Sequence, residues 1–391
     1  MKICMISYSQ YEFDNRVHRY AESLIRKGDD VDVICLGSKG QLRHEVVNGV
    51  SLHRIQMRDY NENRSLSYLM KLLFFFFRSA FICTILQFEK RFDIHHFHNI
   101  PDFGIFCTLI PKLCGAKVIL DVHDLVPEFY QRKFHIGVRH PVVRILNLIE
   151  KMAAYYADHV ITVTTIWQDT LVKRSVSKTK CSVILNAPDP RLFYRCPVKR
   201  KDGNTHFNLV YHGNLSEIFG VDIAIKSMRI IQKSVPHAEL HIYGQGRNKE
   251  KLIQLANSLC LNHSVVFHKP VTRNEIPDIL RHADIGIDPK RDGVLAGEGL
   301  SSKCMEYLAV GLPAVVSKIK AAQTYYHESM VAFFEPDNEC DLARSIIDLY
   351  HHPEKRRQLI HHSLRFNKEH SWERYEKLYF DLLNHLVKKS R

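Results

Sequence analysis

Apolar positions along the chain follow two periods that alternate from one end to the other. Residues 2–8 (KICMISY) form a short, almost unbroken apolar run, the pattern of a strand buried on both faces. Residues 14–27 then place apolar side chains at three- and four-residue spacing and stop at Gly28, which predicts a helix. Residues 31–36 (VDVICL) are the next strand. Short strands at 94–97, 118–121 and 158–163 follow, with helices between. A parallel sheet has this rhythm, because each strand must return over the sheet through a helix before the next can pair.

Residues 196–207 break the pattern. They are polar and basic, contain Pro197 and Gly203, and read as a linker. The rhythm then restarts, with strands at 208–211, 239–243, 265–268, 284–287 and 314–317. Helices fall at 221–234, 249–258, 275–282 and 303–309. The expectation is two α/β domains, 1–195 and 205–370, and a C-terminal segment 371–391 whose helix over 372–387 can pack on either domain, the N-terminal one included. Open α/β sheets bind ligands at the C-terminal ends of their strands. Two such domains facing each other make a cleft suited to a two-substrate transfer that must exclude water.

Composition narrows the partners. Of 391 residues, 45% are hydrophobic and 25% charged, which excludes a disordered or fibrous chain. Lys+Arg number 55 against 42 Asp+Glu, a formal +13, so anionic partners are expected. No nucleic-acid module or aromatic–basic interleaving accompanies that charge, so nucleic acid is not an expected partner. The ten cysteines are scattered, without a CxxC pair, and many lie in apolar runs. Buried free thiols in a reducing, cytoplasmic setting fit them. The N-terminal MKICMISYS turns polar too soon for a signal-peptide core. The most apolar stretch, Leu69 to Leu86, is interrupted by Lys71 and Arg78, short of the about 20 unbroken apolar residues of a membrane span. It is expected as a buried or surface-lying helix. Phe74 to Phe77 among basic residues, with Arg132-Lys133, are the candidate contacts to an anionic membrane surface.

Two cofactor classes lack their residues. The first strand is followed by SYSQYEFDNR and not by GxGxxG, which removes the support for a nicotinamide site. His95, His96 and His98 cluster, but strand alternation sends His95 to the face opposite His96 and His98, and no HExxH occurs. No metal site is expected.

The densest chemical signal is GEGLSSKCMEYLAVGLPAVV, Gly297 to Val316. Glu298 falls in a loop before a helix and Glu306 inside that helix. Lys303 adds a positive charge near the helix start, where free amides favour anionic groups. A carboxylate such as Glu306 can accept two hydrogen bonds from a ribose diol. Gly311-Leu312-Pro313 ends the helix and Ala314 resumes the sheet.

This stretch resembles the E-x7-E element of the retaining glycosyltransferase family 4, with Glu298, Glu306, Gly311, Pro313, Val315 and Val316 in register. The resemblance spans essentially the whole chain. The segment from Phe13 to His18 is similar to the family's first loop and helix, with Asn15 as the donor-contacting candidate. Asn186-Ala187-Pro188-Asp189 resembles its N-x-x-D element. Tyr243-Gly244-Gln245-Gly246 is similar to its G-x-G turn. His123, in DVHDL, stands at the position of the active-site histidine. The resemblance implies a GT-B fold of two facing Rossmann-like domains with an interdomain cleft. It implies transfer of a sugar from a UDP- or GDP-linked donor to a glycan or polyprenyl- or lipid-linked acceptor, in cell-envelope or exopolysaccharide assembly, without a permanent cofactor. On this reading Glu298 and His123 face the donor sugar. Asn15, Asn214, Gly244, Lys303 and Glu306 contact the nucleotide and its diphosphate.

One loop departs from the family. Its G-R-x4-K-G, whose Arg and Lys neutralise the leaving diphosphate, is replaced by GNLSEIFG, with Asn214 and Phe219 at the cationic positions. Lys303, and secondarily Lys290 and Arg291, are the expected substitutes. Two other functions stay open at this point. An epimerase on the same fold would need no acceptor, and a non-catalytic nucleotide-sugar-binding protein would need no clamp.

Overall fold

Two sheets carry the two halves of the apolar rhythm. The structure, a computed structural model, describes residues 1–57, 65–196, 206–293 and 298–388. Among these residues the first sheet is built from β1 (Lys2–Gln10), β2 (Asp30–Gly37), β3 (His44–Val47), β4 (Val50–Met57), β5 (Ile94–His98), β6 (Lys117–Val122), β7 (His159–Thr162) and β8 (Cys181–Val183). Their order is β3-β4-β2-β1-β5-β6-β7-β8. The second sheet holds β9 (Phe207–Asn214), β10 (Ala238–Gln245), β11 (Val265–His268), β12 (Ile285–Asp288), β13 (Ala314–Ser317) and β14 (Ala332–Phe334), in the order β11-β10-β9-β12-β13-β14. All pairings are parallel except β3–β4. That hairpin closes on Asn48-Gly49, both at positive φ (51° and 84°), the turn that matches strand twist.

The chain divides into two compact units. One is Met1–Leu185 together with the segment from Glu376 onward, and the other is Asn186–Tyr375. Each is a parallel sheet covered by helices, the architecture of the GT-B fold's two Rossmann-like halves. In the first unit, the helix Asn15–Lys27 starts on Asp14, whose carboxylate accepts the amides of Arg16 (3.2 Å) and Val17 (3.1 Å), and ends at Gly28. Such a cap is worth about 1 kcal/mol. The C-terminal helix Trp372–Lys388 joins this unit from Glu376 on. Arg26 donates to Glu376 at 2.9 Å, and the Tyr379 hydroxyl lies 2.8 Å from His96 Nδ1. In the second unit, Leu209, Tyr211, Leu240, Ile242, Ile285 and Ile287 form a buried core under the helix Val221–Ser234.

Burying histidines in these strands has a measurable consequence. Burial pushes His95 and His96 down to about 3 and His159 to about 4, so all three are neutral in the folded chain. Unfolding restores the ordinary value near 6.5, so below that pH the unfolded chain binds protons that the folded chain refuses. Stability therefore falls as pH drops from about 6.5 towards 4, by up to about 1.4 kcal/mol per pH unit per group. Asp102, pushed up to about 7 by burial, acts in the opposite sense and offsets one of the three. Urea titrations at pH 7, 6 and 5 should show the unfolding free energy falling by roughly 3 kcal/mol per unit at the steepest. A flat profile would mean that these imidazoles charge in the folded state.

Candidate active site

In the first unit, β1, β5 and β6 end side by side. His123 directly follows β6. Its amide donates to Asn99 Oδ1 at 3.0 Å, while Asn99 Nδ2 donates to the Asp124 carbonyl at 2.7 Å and to Asp102 at 2.9 Å. The turn that carries the imidazole is thus tied to the loop after β5. Burial lowers the His123 pKa, against the opposing pull of Asp124, Asp121 and Asp14, so the ring is neutral near pH 7. Its buried Nδ1 has no hydrogen-bond partner among the described residues. Asp14 lies near it. Burial alone would raise that carboxyl, but His123, the Ser9 hydroxyl (2.7 Å), His98 and the Val17 amide hold it below the usual range. Asn15 is exposed beside a cleft of about 300 Å³ lined also by Ser9, Gln10, Phe13 and Asp14.

Beneath this edge lies a pair that sequence reading missed. Arg16 grips Asp121 with two hydrogen bonds, one of them Nε to Oδ2 at 2.7 Å, and both residues are buried. His98 Nδ1 is 3.2 Å and His96 Nε2 3.6 Å from the same Oδ2. His96, His98 and Asp121 lie close enough to share a cation, as do Cys4, Cys83 and His95 on the other face. In the first group the Asp121 charge is already matched by Arg16. In the second, burial pushes the Cys4 thiol well up, against the thiolate a metal needs. Glu128 is bound by Arg174 at 2.9 Å.

In the second unit, the central strand β9 ends in His212-Gly213-Asn214. His212 Nε2 lies 3.2 Å from Glu306 Oε2, and Glu306 sits on the helix Ser302–Val310. Lys303 projects from the first turn of that helix. Its ammonium lies 4.3 Å over the Phe219 ring, 5.4 Å over Tyr211 and 3.9 Å from Asp288 Oδ1. A Cβ at Gly213 would stand 2.7 Å from Lys303 Cε, and one at Gly244 would stand 2.0 Å from the Gly213 carbonyl oxygen. These two glycines let β9, β10 and the lysine stem approach each other. Asn214 Oδ1 accepts the Ser216 amide at 2.7 Å.

The two other candidate cations, Lys290 and Arg291, are engaged elsewhere. Lys290 donates to the Gly299 carbonyl at 2.5 Å and steadies the loop after Glu298. Arg291 binds both oxygens of Asp222 (2.9 and 2.8 Å) and also Asp337. Glu298 lies 2.7 Å from Lys320 Nζ, and Gly297 before it is outside the described residues. The structure thus brings Asn214, Gly244, Lys303 and Glu306 to one sheet edge. It adds His212, Tyr211 and Asp288, which the sequence did not single out, and sets Phe219 of the departing loop under the lysine. His123 and Asn15 stand at the corresponding edge of the first unit. A carboxylate and a cation three residues apart on one helix, over a glycine shelf, can hold a diol at one end of a ligand and an anionic group at the other.

Comparison with known families agrees with both units. Residues 14–192 match the profile described as Glycosyltransferase Family 4, and residues 198–365 match Glycosyl transferases group 1. The protein is a GT-B-fold glycosyltransferase related to both families. The first match carries Asn15 and His123. The second carries Asn214, Gly244, Glu298, Lys303 and Glu306. The glycosyltransferase is 22% identical over 340 residues to an uncharacterized glycosyltransferase of Methanocaldococcus jannaschii, covering 82% of this chain and 81% of that one. It is 22% identical to the chitobiosyldiphosphodolichol beta-mannosyltransferase of Candida glabrata, over 77% of this chain and 72% of that one. Among solved structures, Anabaena HepE in complex with UDP and glucose superposes with a TM-score of 0.73 at 14% identity, over 98% of this chain and 100% of that one.

Proposed function

We propose that the protein is a retaining glycosyltransferase. It moves a sugar from a UDP- or GDP-linked donor to a hydroxyl of a glycan or lipid-linked acceptor, on the cytoplasmic face of a membrane, in cell-envelope or exopolysaccharide assembly. The observation that carries this reading is the pair Lys303 and Glu306 on the helix Ser302–Val310, set beside the Gly213–Gly244 shelf. Glu306 accepts the ribose diol, Lys303 faces the diphosphate, and Asn214 and Gly244 line the path between them. Glu298 lies beside the sugar. The neutral His123 of the first unit hydrogen-bonds a sugar hydroxyl, and Asn15 contacts the donor from the same unit. The leaving phosphate oxygen takes the proton of the incoming hydroxyl on the same face of the sugar, which retains the anomeric configuration. No step is assigned to a metal. The UDP complex of the Anabaena protein and the dolichol-linked acceptor named for the Candida enzyme support the donor and acceptor classes.

A donor screen with purified protein, reading UDP or GDP release with and without lipid-linked acceptors, tests the reaction. NMR of the product anomer tests retention. Conversion of the donor to an isomer without acceptor would replace this reading with an epimerase, and binding without turnover would replace it with a binding protein. Glu306→Ala should weaken nucleotide binding by about 2–3 kcal/mol, roughly 30- to 150-fold in Kd, because two hydrogen bonds to a charged group are lost. Unchanged binding by calorimetry would remove the ribose site from Glu306.

A further inference from the structure

One face of the first unit has the chemistry of a lipid contact. The connections β4 to β5, β5 to β6 and β6 to β7 all advance in one direction across the sheet. Right-handed crossovers therefore stack the helices Ser65–Lys90, Leu109–Leu113 and Pro141–Tyr156 on one side. The helix Asn15–Lys27 takes the other side, with Tyr379 of the C-terminal helix 4.5 Å from its Tyr20.

The stacked helices leave large apolar side chains in solvent at helical spacing. On the first, Met70, Phe74, Phe77, Phe81, Ile85 and Phe88 form one exposed stripe, with Phe77 and Phe81 each 66% exposed. On the third, Ile145, Leu148, Met152 and Tyr155 form a second, and Leu109 and Leu113 lie exposed on the helix between. Monomeric soluble proteins rarely leave a contiguous apolar face of this extent uncovered.

Charge on the same helices is nearly of one sign. Arg144 and Lys151 are exposed, the Arg78 guanidinium lies 4.6 Å over the Phe74 ring, and Lys180 lies 5.8 Å over Tyr155. Among the described residues of the three helices, Glu89 is the one exposed acid, because Glu150 is buried and held by Arg174 at 2.6 Å. A second copy of the chain would set basic groups against basic groups. An anionic bilayer supplies the complementary charge and takes up the apolar rings.

The first helix does not span such a bilayer. Residues 67–90 are long enough to do so and contain an 18-residue window of mean hydropathy 1.9. However, Leu72, Phe75, Cys83 and Leu86 are buried on its inner side, and Arg78 donates to the Ile55 carbonyl. Extracting it would strip the sheet of its cover. We infer that the protein docks on an anionic membrane leaflet as a monotopic protein, through the outer face of the helices 65–90, 109–113 and 141–156, with Phe77, Phe81, Ile145 and Met152 entering the acyl boundary. This locates the membrane contact of the proposed transfer and rests on that reading for its setting.

Flotation with vesicles of 70:30 phosphatidylcholine:phosphatidylglycerol tests it at low and high salt. The full chain should co-float at low salt and bind at least tenfold less to pure phosphatidylcholine. Phe77→Ser/Phe81→Ser and Ile145→Ser/Met152→Ser should each lose at least tenfold in binding while keeping the donor affinity and melting temperature of the parent. In Phe81→Trp, brominated acyl chains should quench the new fluorescence, whereas Trp167 and Trp372 are buried and shielded. Absence of flotation on the anionic vesicles, an unquenched Phe81→Trp, or a lipid-free dimer abolished by Phe77→Ser/Phe81→Ser would each overturn the proposal. The readout needs neither donor nor acceptor. Vesicle binding without sugar transfer sinks the transferase reading alone, and transfer without vesicle binding sinks this one alone.

Discussion

Lys303→Met is expected to lower turnover by two to three orders of magnitude and to leave donor affinity within a few-fold. The leaving diphosphate gains negative charge as the glycosidic bond breaks, so a cation fixed beside it acts more strongly on the transition state than on the bound donor. Removing one such preorganised group costs about 10²–10³ in kcat. The loop that supplies cations in related enzymes has Asn214 and Phe219 instead. The structure gives Phe219 a different use, since its ring lies beneath the Lys303 ammonium at 4.3 Å. That contact fixes the charge without neutralising it, at an energy of about 0.5–2 kcal/mol. Asp288 at 3.9 Å is a loose partner, and the glycine at 213 leaves room for the lysine stem. Arg291, by contrast, is tied to two carboxylates. Methionine keeps the stem and removes the charge. Initial rates of nucleotide release, set beside the calorimetric Kd, separate the two effects. A loss of less than threefold would move the phosphate contact to another cation, with Lys290 the first to examine.

The parts of this molecule that were legible from sequence share a cause. Strands buried on both faces produce unbroken apolar runs, and β1, β2, β5, β6 and β7 were read at those runs. The C-terminal ends of β1, β2, β5 and β6 extend beyond those runs, whereas β7 stops one residue inside its run. β1 continues to Gln10 and β9 to Asn214, because these strand ends carry Ser, Gln, Gly and Asn in place of apolar residues. The β3–β4 hairpin was missed although Asn48-Gly49 marks it, since β3 is mostly exposed and has no apolar run. The Glu298–Glu306 spacing was visible as a motif. Its setting was not, because His212 and Glu306 meet across 94 positions, the difference between their residue numbers. The exposed stripes on 65–90 and 141–156 were equally hidden. A helix that is apolar on nearly every side does not state in its sequence which side the fold will cover.

Separation in sequence also explains why the pair beneath the candidate site had no signal. Arg16 and Asp121 are 105 residues apart, and each alone reads as an ordinary helix-start or strand-end charge. Arg16→Met should destabilise the first unit by about 3–5 kcal/mol, because it leaves the Asp121 carboxylate buried without its guanidinium. For a unit of this size that is a fall of roughly 10–15 °C in melting temperature. The deficit should depend on pH in a particular sense. Burial, His98 and Arg16 together hold His96 down at about 3, with Asp121 pulling the other way. With Arg16 gone, one of the lowering influences is removed while Asp121 remains, so an imidazolium can replace the lost guanidinium as pH falls. The difference between variant and parent should therefore shrink from pH 8 to pH 6, although both lose stability over the acid end of that range. Asp121→Asn strands the guanidinium instead, and Arg16 cannot shed its proton, so its deficit should stay constant over the same range. Arg16→Met/Asp121→Leu removes both charges and should recover most of the loss, since a buried ion pair replaced by apolar groups of similar volume is often close to neutral. Denaturant titrations of the two single variants and the double variant at both pH values complete the cycle. If the double variant is as unstable as Arg16→Met, the pair's role is the shape it gives the strand ends under His123, and the charge argument fails.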